Sequence, residues 1–493
     1  MAIRKPIVEL GRSTAIYGLG NVPSKLAAFL LIPIYTRYLP LEQVGILVLL
    51  EMVETFLVVL IPFGINNAVW RYLAGGKGTE RKRVVASAYG GSLVLNVVVL
   101  GLIAVLHRFP GKFVGLGPSQ DFLILILLLN VFLAFGTRFF LGLLQYDGKA
   151  LTYVLFSSTQ FIGVLAVTFI FVVMKGWGLL GVLVARSVVY GIAFLVTGSE
   201  ILRSNNARPS LTIFLRLLKF AGPLVILAMV APVLTVSDRF FLKLFVSLEE
   251  IAVYGIAYKF GMLISMFFVI PLQRGWGPMM YRMGVEEESH EYHRDVLFYF
   301  AVMGGLFFLA ISFFAGEVIS LAATRDYVAG AAIIPLVTLA YFLSGFRQFF
   351  MAGAAVGGQT PRLAWAAAIS IILNLLLNFL LVKNYGVMGA AWATLSSYAI
   401  LAAGVYLASQ KVARIDWNWY RLGKLMVTML AVFWAIHTLQ FQHPDWRLQW
   451  GLLGLFLFPA LLWLTRTIGV RELRGLTYLL KSTWKRLRHA LDR

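Results

Sequence analysis

The heptapeptide KGWGLLG at residues 175–181 recurs as KNYGVMG at residues 383–389, and an offset of 208 residues relates the two copies. Tyr190 and Tyr398 continue the match at the same offset. Each copy separates two long apolar runs. Because self-similarity at a fixed period indicates repeated structural units, this match predicts that most of the chain consists of two related halves.

Two other matches give nearly the same offset. The tripeptide GTR at residues 136–138 corresponds to GFR at 345–347 with an offset of 209, and LEQV at 41–44 corresponds to LEEI at 248–251 with an offset of 207. Each match occupies the same place within its half. Since each half contains six apolar runs, both halves enter a membrane in the same direction, and an axis along the membrane normal is expected to relate them.

The apolar runs have the length and composition of membrane-spanning helices. Of the 493 residues, 60% are hydrophobic and 13% are charged, whereas a soluble domain is about half apolar and about a quarter charged. A helix crosses the bilayer core with about 20 apolar residues. Continuous runs exclude an outer-membrane barrel, whose strands alternate in polarity. We therefore predict an all-α integral membrane protein with 14 transmembrane helices, formed by two parallel six-helix repeats and two extra C-terminal helices.

The predicted spans set the domain boundaries. An N-terminal six-helix lobe covers residues 1–208, a C-terminal six-helix lobe covers 209–410, and residues 411–493 contain transmembrane helices 13 and 14 and a basic amphipathic cytoplasmic tail. The predicted spans are 13–37, 43–65, 84–106, 121–144, 150–174, 177–198, 219–245, 250–274, 295–315, 330–353, 363–382, 386–409, 424–441 and 448–466.

The net charge of +21 is located at the ends of the apolar runs. Lys and Arg concentrate at residues 71–83, 203–219, 411–424 and 466–493, which lie on one side of the membrane in this topology. The positive-inside rule then predicts cytoplasmic termini in a bacterial or archaeal inner membrane, where such charge attracts anionic lipids. No separate basic domain is present, so no nucleic acid is expected as a partner. The first apolar run has no cleavage site, which predicts a retained helix.

The residue inventory excludes several kinds of chemistry. The chain has no cysteine, which excludes disulfides, thiolate metal sites and cysteine nucleophiles. No Gly-rich phosphate loop indicates direct use of ATP. His290 and His293 have the spacing of metal ligands on a helix, but they are expected in a solvated cytoplasmic loop. A transporter without a metal or cofactor, coupled to a proton or a sodium ion and not an enzyme, is the expected class.

Local residues in both halves resemble one family of membrane transporters. The first half has Asn21, Lys25, Pro33, Tyr35-Thr36-Arg37 and Val44-Gly45, and the second half has Pro223, Asp238-Arg239-Phe240-Phe241, Tyr254 and Tyr258-Lys259. These residues resemble the polysaccharide flippases of the O-antigen and capsule (Wzx) type, which belong to the multidrug/oligosaccharidyl-lipid/polysaccharide (MOP) exporter superfamily. They do not favour the lipid II flippase, which is a more distant member of the same superfamily.

This resemblance implies a function. A flippase of this type moves a polyprenyl-diphosphate-linked oligosaccharide from the cytoplasmic to the outer leaflet of the inner membrane. Two lobes would alternate access around a cationic cavity, driven by an ion gradient. The implied partners are the lipid-linked oligosaccharide itself and a polysaccharide polymerase or assembly proteins.

Ionisable residues at membrane depth are functional candidates because charge is unfavourable there. A diphosphate headgroup needs cations with several hydrogen-bond donors. Lys25, Arg239 and Lys259 are the predicted headgroup-binding residues. Each of them has an alternative structural role in an ion pair, for example Lys25 with Glu51 or Asp238 with Lys259.

Three acidic residues are predicted to take part in ion coupling or in salt bridges. Glu51 and Glu54 are three residues apart and therefore share a helix face, and Asp238 is in the second half. A carboxylate that alternates between two protonation states could couple transport to a gradient. The alternative role is to neutralise Lys25 and Arg239.

Three further arginines are candidate cavity or interface cations. Arg138 and Arg347 are equivalent in the repeat and are expected near the cytoplasmic ends of their spans, where snorkelling to inner-leaflet phosphates is the favoured role. Arg186 is in the outer half of span six and has no acidic neighbour in the sequence.

Other functions remain open at this level. An ion-coupled exporter of organic cations shares the superfamily fold, but it should have an acidic or aromatic cavity. A non-transporting membrane subunit of a secretion machine would tolerate replacement of the cations. A membrane glycosyltransferase would need paired acidic residues in a sizeable soluble loop, which this chain lacks.

Overall fold

The computed structural model describes residues 29–61, 64–73, 78–106, 108–117, 120–285 and 287–469. Within these residues the chain is helical and has no strand. In chain order the α-helices are α1 (29–38), α2 (Leu41–Leu60), α3 (Ile65–Leu73), α4 (Thr79–Val105), α5 (Arg108–Val114), α6 (Phe122–Tyr146), α7 (Ala150–Thr168), α8 (Gly178–Ser204), α9 (Leu211–Val236), α10 (Asp238–Phe245), α11 (Leu248–Gly261), α12 (Ile270–Met283), α13 (Glu287–Phe313), α14 (Ala315–Ala322), α15 (Ile334–Phe350), α16 (Ala352–Val356), α17 (Thr360–Gln410), α18 (Trp419–Gln442) and α19 (Arg447–Leu464).

The helices confirm the predicted fold class. Ten helical segments in the described part are long and apolar enough to cross a membrane, and an eleventh is the bent pair Arg325–Ala332 with Ile334–Phe350. One of the ten, α17, contains two predicted spans. Gly386, which has non-helical backbone angles, separates them. Helix α9 is a further apolar helix of 26 residues, and α1 is the end of the first predicted span. The described residues thus form an all-α membrane protein that contains thirteen of the predicted spans and the end of the first.

Two glycines show the repeat in the backbone. Gly178, at the start of α8, has φ 54°, and Gly386, within α17, has φ 55°. Both residues are at the fourth position of the repeated heptapeptide. This left-handed region is open to glycine because a Cβ atom would clash with the backbone there. The sequence match therefore corresponds to a turn of the same kind between two spans.

Several helices are longer than the apolar runs that predicted them. Span nine was expected to begin at residue 295, but α13 begins at Glu287. Span eight was expected to end at residue 274, but its helix continues to Met283. The reason is that backbone hydrogen bonding continues into charged segments once the helix has formed. The polar ends of these helices therefore form ordered structure beyond the apolar core.

Contacts divide the described residues into two compact units. The N-terminal unit runs to Gly255 and includes Val382–Val387, and the C-terminal unit comprises Ile256–Leu381 and the residues from Met388 onwards. Helix α9 is in the second repeat by sequence, but it belongs to the N-terminal unit because it packs against α2, α3 and α4. The lobe boundaries at residues 208 and 410 rest on the repeat and stay predictions.

The N-terminal unit is organised around the packing of α6 against α8. A Cβ atom on Gly136 of α6 would lie 2.6 Å from the Phe194 ring of α8, so the glycine permits close approach. Small residues at such contacts are typical of membrane helices. Asn130 donates to the Leu183 carbonyl at 3.0 Å and accepts from Ser187 at 2.8 Å, which adds a polar contact between the same helices.

The C-terminal unit has an aromatic core around α13. Gly345 of α15 packs against the Phe300 ring, and Gly304 packs against Phe342. The two extra helices, α18 and α19, cover another side of α13. There the Phe308 ring packs at a tilt against Phe433, with ring centroids 5.4 Å apart. The extra helices are therefore an integral part of this unit.

Candidate functional site

A half-buried ion cluster joins α2 and α8 in the N-terminal unit. The Arg186 guanidinium donates to Glu51 at 2.8 Å and to Glu54 at 3.0 Å. Exposed fractions of the three side chains are 11% for Arg186, 26% for Glu51 and 14% for Glu54. The two glutamates share a helix face, as predicted, and that face is directed at one cation. The sequence offered no partner for Arg186, and packing supplies two.

Two tyrosines adjoin this cluster. Tyr35 of α1 is buried and lies within electrostatic range of Arg186 and Glu51. Tyr190 lies one helical turn after Arg186 on α8, within range of Glu54 and Arg138. Phenol groups can donate or accept hydrogen bonds. The cluster therefore combines ionic groups with two phenol hydroxyls, which can exchange a proton with a carboxylate or donate a hydrogen bond to a phosphate oxygen.

Arg138 of α6 is the most accessible cation beside the cluster. Its side chain is exposed, and Glu54 and Tyr190 are its electrostatic neighbours. In the described part of the chain no carboxylate lies within salt-bridge distance of Arg138. Since a guanidinium has five N–H donors, Arg138 can bind an anionic group without first breaking an ion pair.

Asp238 and Arg239 form a second buried ion pair at the start of α10. Arg239 donates to the Asp238 carboxylate at 2.8 Å and to the Thr235 carbonyl at 2.6 Å. The Tyr254 hydroxyl donates to the other oxygen of Asp238. Both charged side chains are buried. The arrangement neutralises Arg239 and fixes the junction between α9 and α10, which matches the structural alternative for this residue.

The other predicted cations have different settings. Lys25 lies outside the residues that the structure describes. Lys259 is half-buried near the end of α11 in the C-terminal unit. Arg347 is half-buried on α15, with Tyr398 as its electrostatic neighbour. The repeat thus places a tyrosine beside each of its equivalent arginines, Arg138 and Arg347.

The C-terminal unit has a group of three tyrosines, one of which, Tyr258, is equivalent to Glu51 in the repeat. The Tyr258 and Tyr341 hydroxyls are 3.1 Å apart, and the Tyr341 and Tyr398 rings are 5.5 Å apart. The sequence matched Tyr190 with Tyr398 but did not assign either to a site. The signal that could have found them is that each tyrosine follows a repeat-equivalent arginine at nearly the same distance, Tyr190 after Arg138 and Tyr398 after Arg347.

One weak sequence signal is corrected by the structure. His293 was expected in a solvated loop, but it is fully buried in α13. Its Nε2 atom lies 2.9 Å from the Gly284 carbonyl oxygen, and its ring packs against Trp276. The helix extends upstream of the apolar run and carries the histidine inward. Across the described ranges, no group of three His, Asp or Glu side chains is arranged to hold a metal ion.

The family model for polysaccharide biosynthesis proteins matches residues 10–284, which are more than half of the chain. The chain belongs to this family. The match covers the helices that carry Arg138, Arg186 and the Asp238–Arg239 pair. It confirms the expected relation to polysaccharide biosynthesis. No curated protein sequence matches the chain.

Solved structures similar to this family member share its fold. The lipid II flippase MurJ in an inward closed conformation has a TM-score of 0.75 at 15% identity, over 92% of this chain and 100% of that one. An inward-facing multidrug resistance MATE family transporter of the MOP superfamily has a TM-score of 0.64 at 16% identity, over 78% and 94%. The MATE transporter VcmN of Vibrio cholerae has a TM-score of 0.55 at 15% identity, over 85% and 100%.

Family and fold together establish the general class. The protein is a multi-pass membrane protein of a polysaccharide biosynthesis family, and the proteins that share its fold are flippases and transporters. The printed functions of these neighbours agree with the expectation of a transporter.

Proposed function

We propose that this protein flips a polyprenyl-diphosphate-linked oligosaccharide from the cytoplasmic to the outer leaflet of a bacterial or archaeal inner membrane, with both termini in the cytoplasm. The family supports a role in polysaccharide biosynthesis. MurJ, which has a similar fold, is named as a lipid II flippase. The basic loops support the orientation through the positive-inside rule.

The observation that carries the proposal is the contrast between two arginines of the N-terminal unit. Arg186 is held by two carboxylates, whereas Arg138 is exposed and has none within salt-bridge distance in the described residues. A phosphate oxygen accepts charge-assisted hydrogen bonds from such a guanidinium. Arg138 therefore takes the headgroup role, and Arg239 stabilises the α9–α10 junction. Lys25 and Lys259 keep the headgroup role predicted for them from the sequence.

Glu51 and Glu54 provide the proposed link to an ion gradient. Protonation of either glutamate would weaken its hold on Arg186, because the ion pair would lose half of its charge. The same carboxylates lie beside Arg138 and Tyr190, so their charge state changes the electrostatic environment of the headgroup site. Flipping is thereby coupled to a proton or sodium ion.

Export of organic cations is the second candidate function. The MATE transporters with this fold are its basis, and the tyrosine group of the C-terminal unit is the observation that favours it. Aromatic faces attract cations. The two functions differ in what they predict at Arg138. A flippase would bind a phosphate there, whereas an exported cation would be repelled by the arginine.

The test is binding of undecaprenyl diphosphate to the purified full chain by native mass spectrometry. Parent protein should bind it, and Arg138→Gln should bind it about tenfold more weakly because charge-assisted bonds are lost. Arg138→Lys should retain part of the affinity. Arg362→Gln, at an exposed arginine near the start of α17, is the matched control and should bind as the parent does. Unchanged binding by Arg138→Gln would reject the headgroup assignment.

A companion experiment tests the coupling. Glu51→Gln with Glu54→Gln should abolish the dependence of export on the proton or sodium gradient, because neither amide can change charge. Gradient dependence that survives in this variant would move the coupling role to Asp238. Binding of organic cations in place of the polyprenyl diphosphate would favour the exporter.

A further inference from the structure

A polar cavity of about 270 Å³ lies in the C-terminal unit. Helix α13 lines it with Glu291, Arg294 and Asp295. The opposite wall is formed by Trp417, in the segment before α18, and by Arg421, in the first turn of α18. The cavity thus brings two carboxylates, two guanidinium groups and an indole ring together in a space the size of a small ligand.

The walls of this cavity are held by specific contacts. Arg294 forms an ion pair with Asp416 at 3.2 Å, and Asp416 also accepts from the backbone N–H of Asn418 at 3.1 Å. Asn418 has a left-handed φ of 49° and caps α18 by accepting from the Arg421 N–H at 3.2 Å. Asn adopts this conformation more readily than most residues. The segment between α17 and α18 is therefore fixed against α13.

Both guanidinium groups are positioned by specific contacts. Arg421 stacks on Phe298 with its central carbon 3.7 Å from the ring centroid, and its Nε donates to the Thr467 carbonyl at 3.0 Å. The Arg294 side chain is 36% exposed and forms a single ion pair at its Nη1. Because a guanidinium has five N–H donors, Arg294 can also donate to a ligand in the cavity.

The cavity lies where the charged parts of α13 and α18 meet their apolar parts. In α13 the charged residues end at Asp295, and the 18 residues from Val296 to Phe313 have no charge. On the other wall, Trp417, Trp419 and Tyr420 precede the apolar part of α18. Aromatic residues of this kind mark the membrane–water interface. A ligand at this level is most readily supplied by the surrounding leaflet.

We propose that this cavity binds the headgroup of a phospholipid with a primary amine, which is the chemistry of phosphatidylethanolamine. The phosphate accepts hydrogen bonds from Arg294 and Arg421. The ammonium group donates to Glu291 and Asp295, each of which can accept more than one hydrogen bond, and it contacts the indole face of Trp417. A headgroup with only negative charge would leave the two carboxylates facing an anion.

The first experiment compares three lipids with identical acyl chains. Phosphatidylethanolamine, phosphatidylglycerol and phosphatidylcholine are each titrated into the delipidated full chain and measured by native mass spectrometry. Phosphatidylethanolamine should bind about tenfold more tightly than phosphatidylglycerol, because only its amine pairs with the carboxylates. Phosphatidylcholine should also be weaker, because its quaternary ammonium has no N–H. Equal binding of all three would overturn the proposal.

Variants locate the site. Arg294→Gln should lower phosphatidylethanolamine binding to the level of non-specific lipid, and Glu291→Gln should remove the preference over phosphatidylglycerol. Asp416→Asn breaks the ion pair of Arg294 but leaves the Arg294 guanidinium in place. This variant should still prefer phosphatidylethanolamine, which distinguishes a loss of ligand binding from a loss of local stability. Arg362→Gln is the matched control. Parent-like selectivity in both Arg294→Gln and Glu291→Gln would place the amine site elsewhere and reject the assignment.

A last arm separates a lipid from a soluble ligand with the same headgroup. Glycerophosphoethanolamine is added as a competitor against phosphatidylethanolamine. We expect no displacement at equal concentration, because the soluble compound lacks the acyl chains that add apolar contact at the interface. Displacement at equal concentration would show that the cavity binds a soluble phosphoamine and would overturn the lipid assignment.

Discussion

Equivalent positions of the two repeats carry ions in the N-terminal unit and neutral groups in the C-terminal unit. With the sequence offsets of 207 and 208 residues, Glu51 corresponds to Tyr258, and Arg186 corresponds to Thr394. Glu54 likewise corresponds to Gly261, where a glycine replaces the second carboxylate. One repeat therefore holds a three-residue ion cluster at a place where the other has no charge.

What the repeats share is an arginine with a tyrosine neighbour. Arg138 is near Tyr190 in the N-terminal unit, and Arg347 is near Tyr398 in the C-terminal unit. The shared pair is compatible with a role in both halves, such as binding phosphate groups. Only the N-terminal unit has carboxylates at this position, namely Glu51 and Glu54. The proposed coupling function is therefore asymmetric although the fold is repeated.

The largest expected effect separates the two equivalent positions of Arg186 and Thr394. Arg186→Ala should lower the free energy of unfolding by about 3 kcal/mol, because the half-buried Glu51 and Glu54 carboxylates lose charge-assisted hydrogen bonds worth about 1.5–3 kcal/mol each. Thr394→Ala should change it by less than about 1 kcal/mol, since the Thr394 hydroxyl has no hydrogen-bond partner in the described structure. Thermal unfolding of the detergent-solubilised protein measures both.

A triple variant tests the cause of that loss. Arg186→Leu combined with Glu51→Gln and Glu54→Gln removes all three charges, and most of the stability should return because no carboxylate then faces the missing guanidinium. Export should stay impaired in this variant. If the triple variant were as unstable as Arg186→Ala, uncompensated charge would not be the reason for the loss.

The next effect compares the shared arginines. Arg138→Gln should reduce flipping of the lipid-linked oligosaccharide by about 10- to 100-fold, which corresponds to the loss of charge-assisted hydrogen bonds to phosphate. Arg347→Gln should have a smaller effect, because Arg347 is half-buried and lacks the neighbouring acid pair. A fluorescent lipid-linked oligosaccharide in proteoliposomes provides the measurement. Equal losses would contradict a headgroup site specific to the N-terminal repeat.

The smallest effect concerns the matching turns. Gly178→Ala and Gly386→Ala should each reduce stability by about 1–3 kcal/mol, because both impose a backbone conformation that alanine rarely adopts. Gly178→Ala should be the more harmful, since an added Cβ would lie 2.7 Å from the Gln43 side chain, whereas the nearest atom to Gly386 would be 3.6 Å away on Val246. The opposite order in thermal unfolding would contradict this reasoning.

Much of the fold could be predicted because its signals are local. A run of apolar residues as long as the bilayer core is wide specifies a span without reference to any distant residue. The offset between the two heptapeptides is also visible in the sequence, and the equal φ angles of Gly178 and Gly386 agree with it. Helix ends were less predictable, as α13 shows, because a formed helix continues past the apolar residues.

Less of the candidate site could be predicted, because partners are chosen by packing. Glu51 and Arg186 are 135 residues apart in the chain, and their contact depends on how α2 and α8 pack in the same unit. The same applies to Asp238 and Tyr254, which approach each other across two helices. His293 lies in a charged stretch of sequence, which predicts an exposed residue. It is nevertheless buried, because α13 directs its side chain into the core.

The sequence by itself determined the membrane environment, the series of spans, the repeat and the family, because each depends on composition or on matches along the chain. Only the tertiary structure decided which charges are neutralised: Arg186 by two glutamates, Arg239 by its neighbour, and Arg138 by no carboxylate within salt-bridge distance in the described part. The physical reason is that burial requires a charge to find a partner, and that partner is selected by helix packing and not by sequence distance.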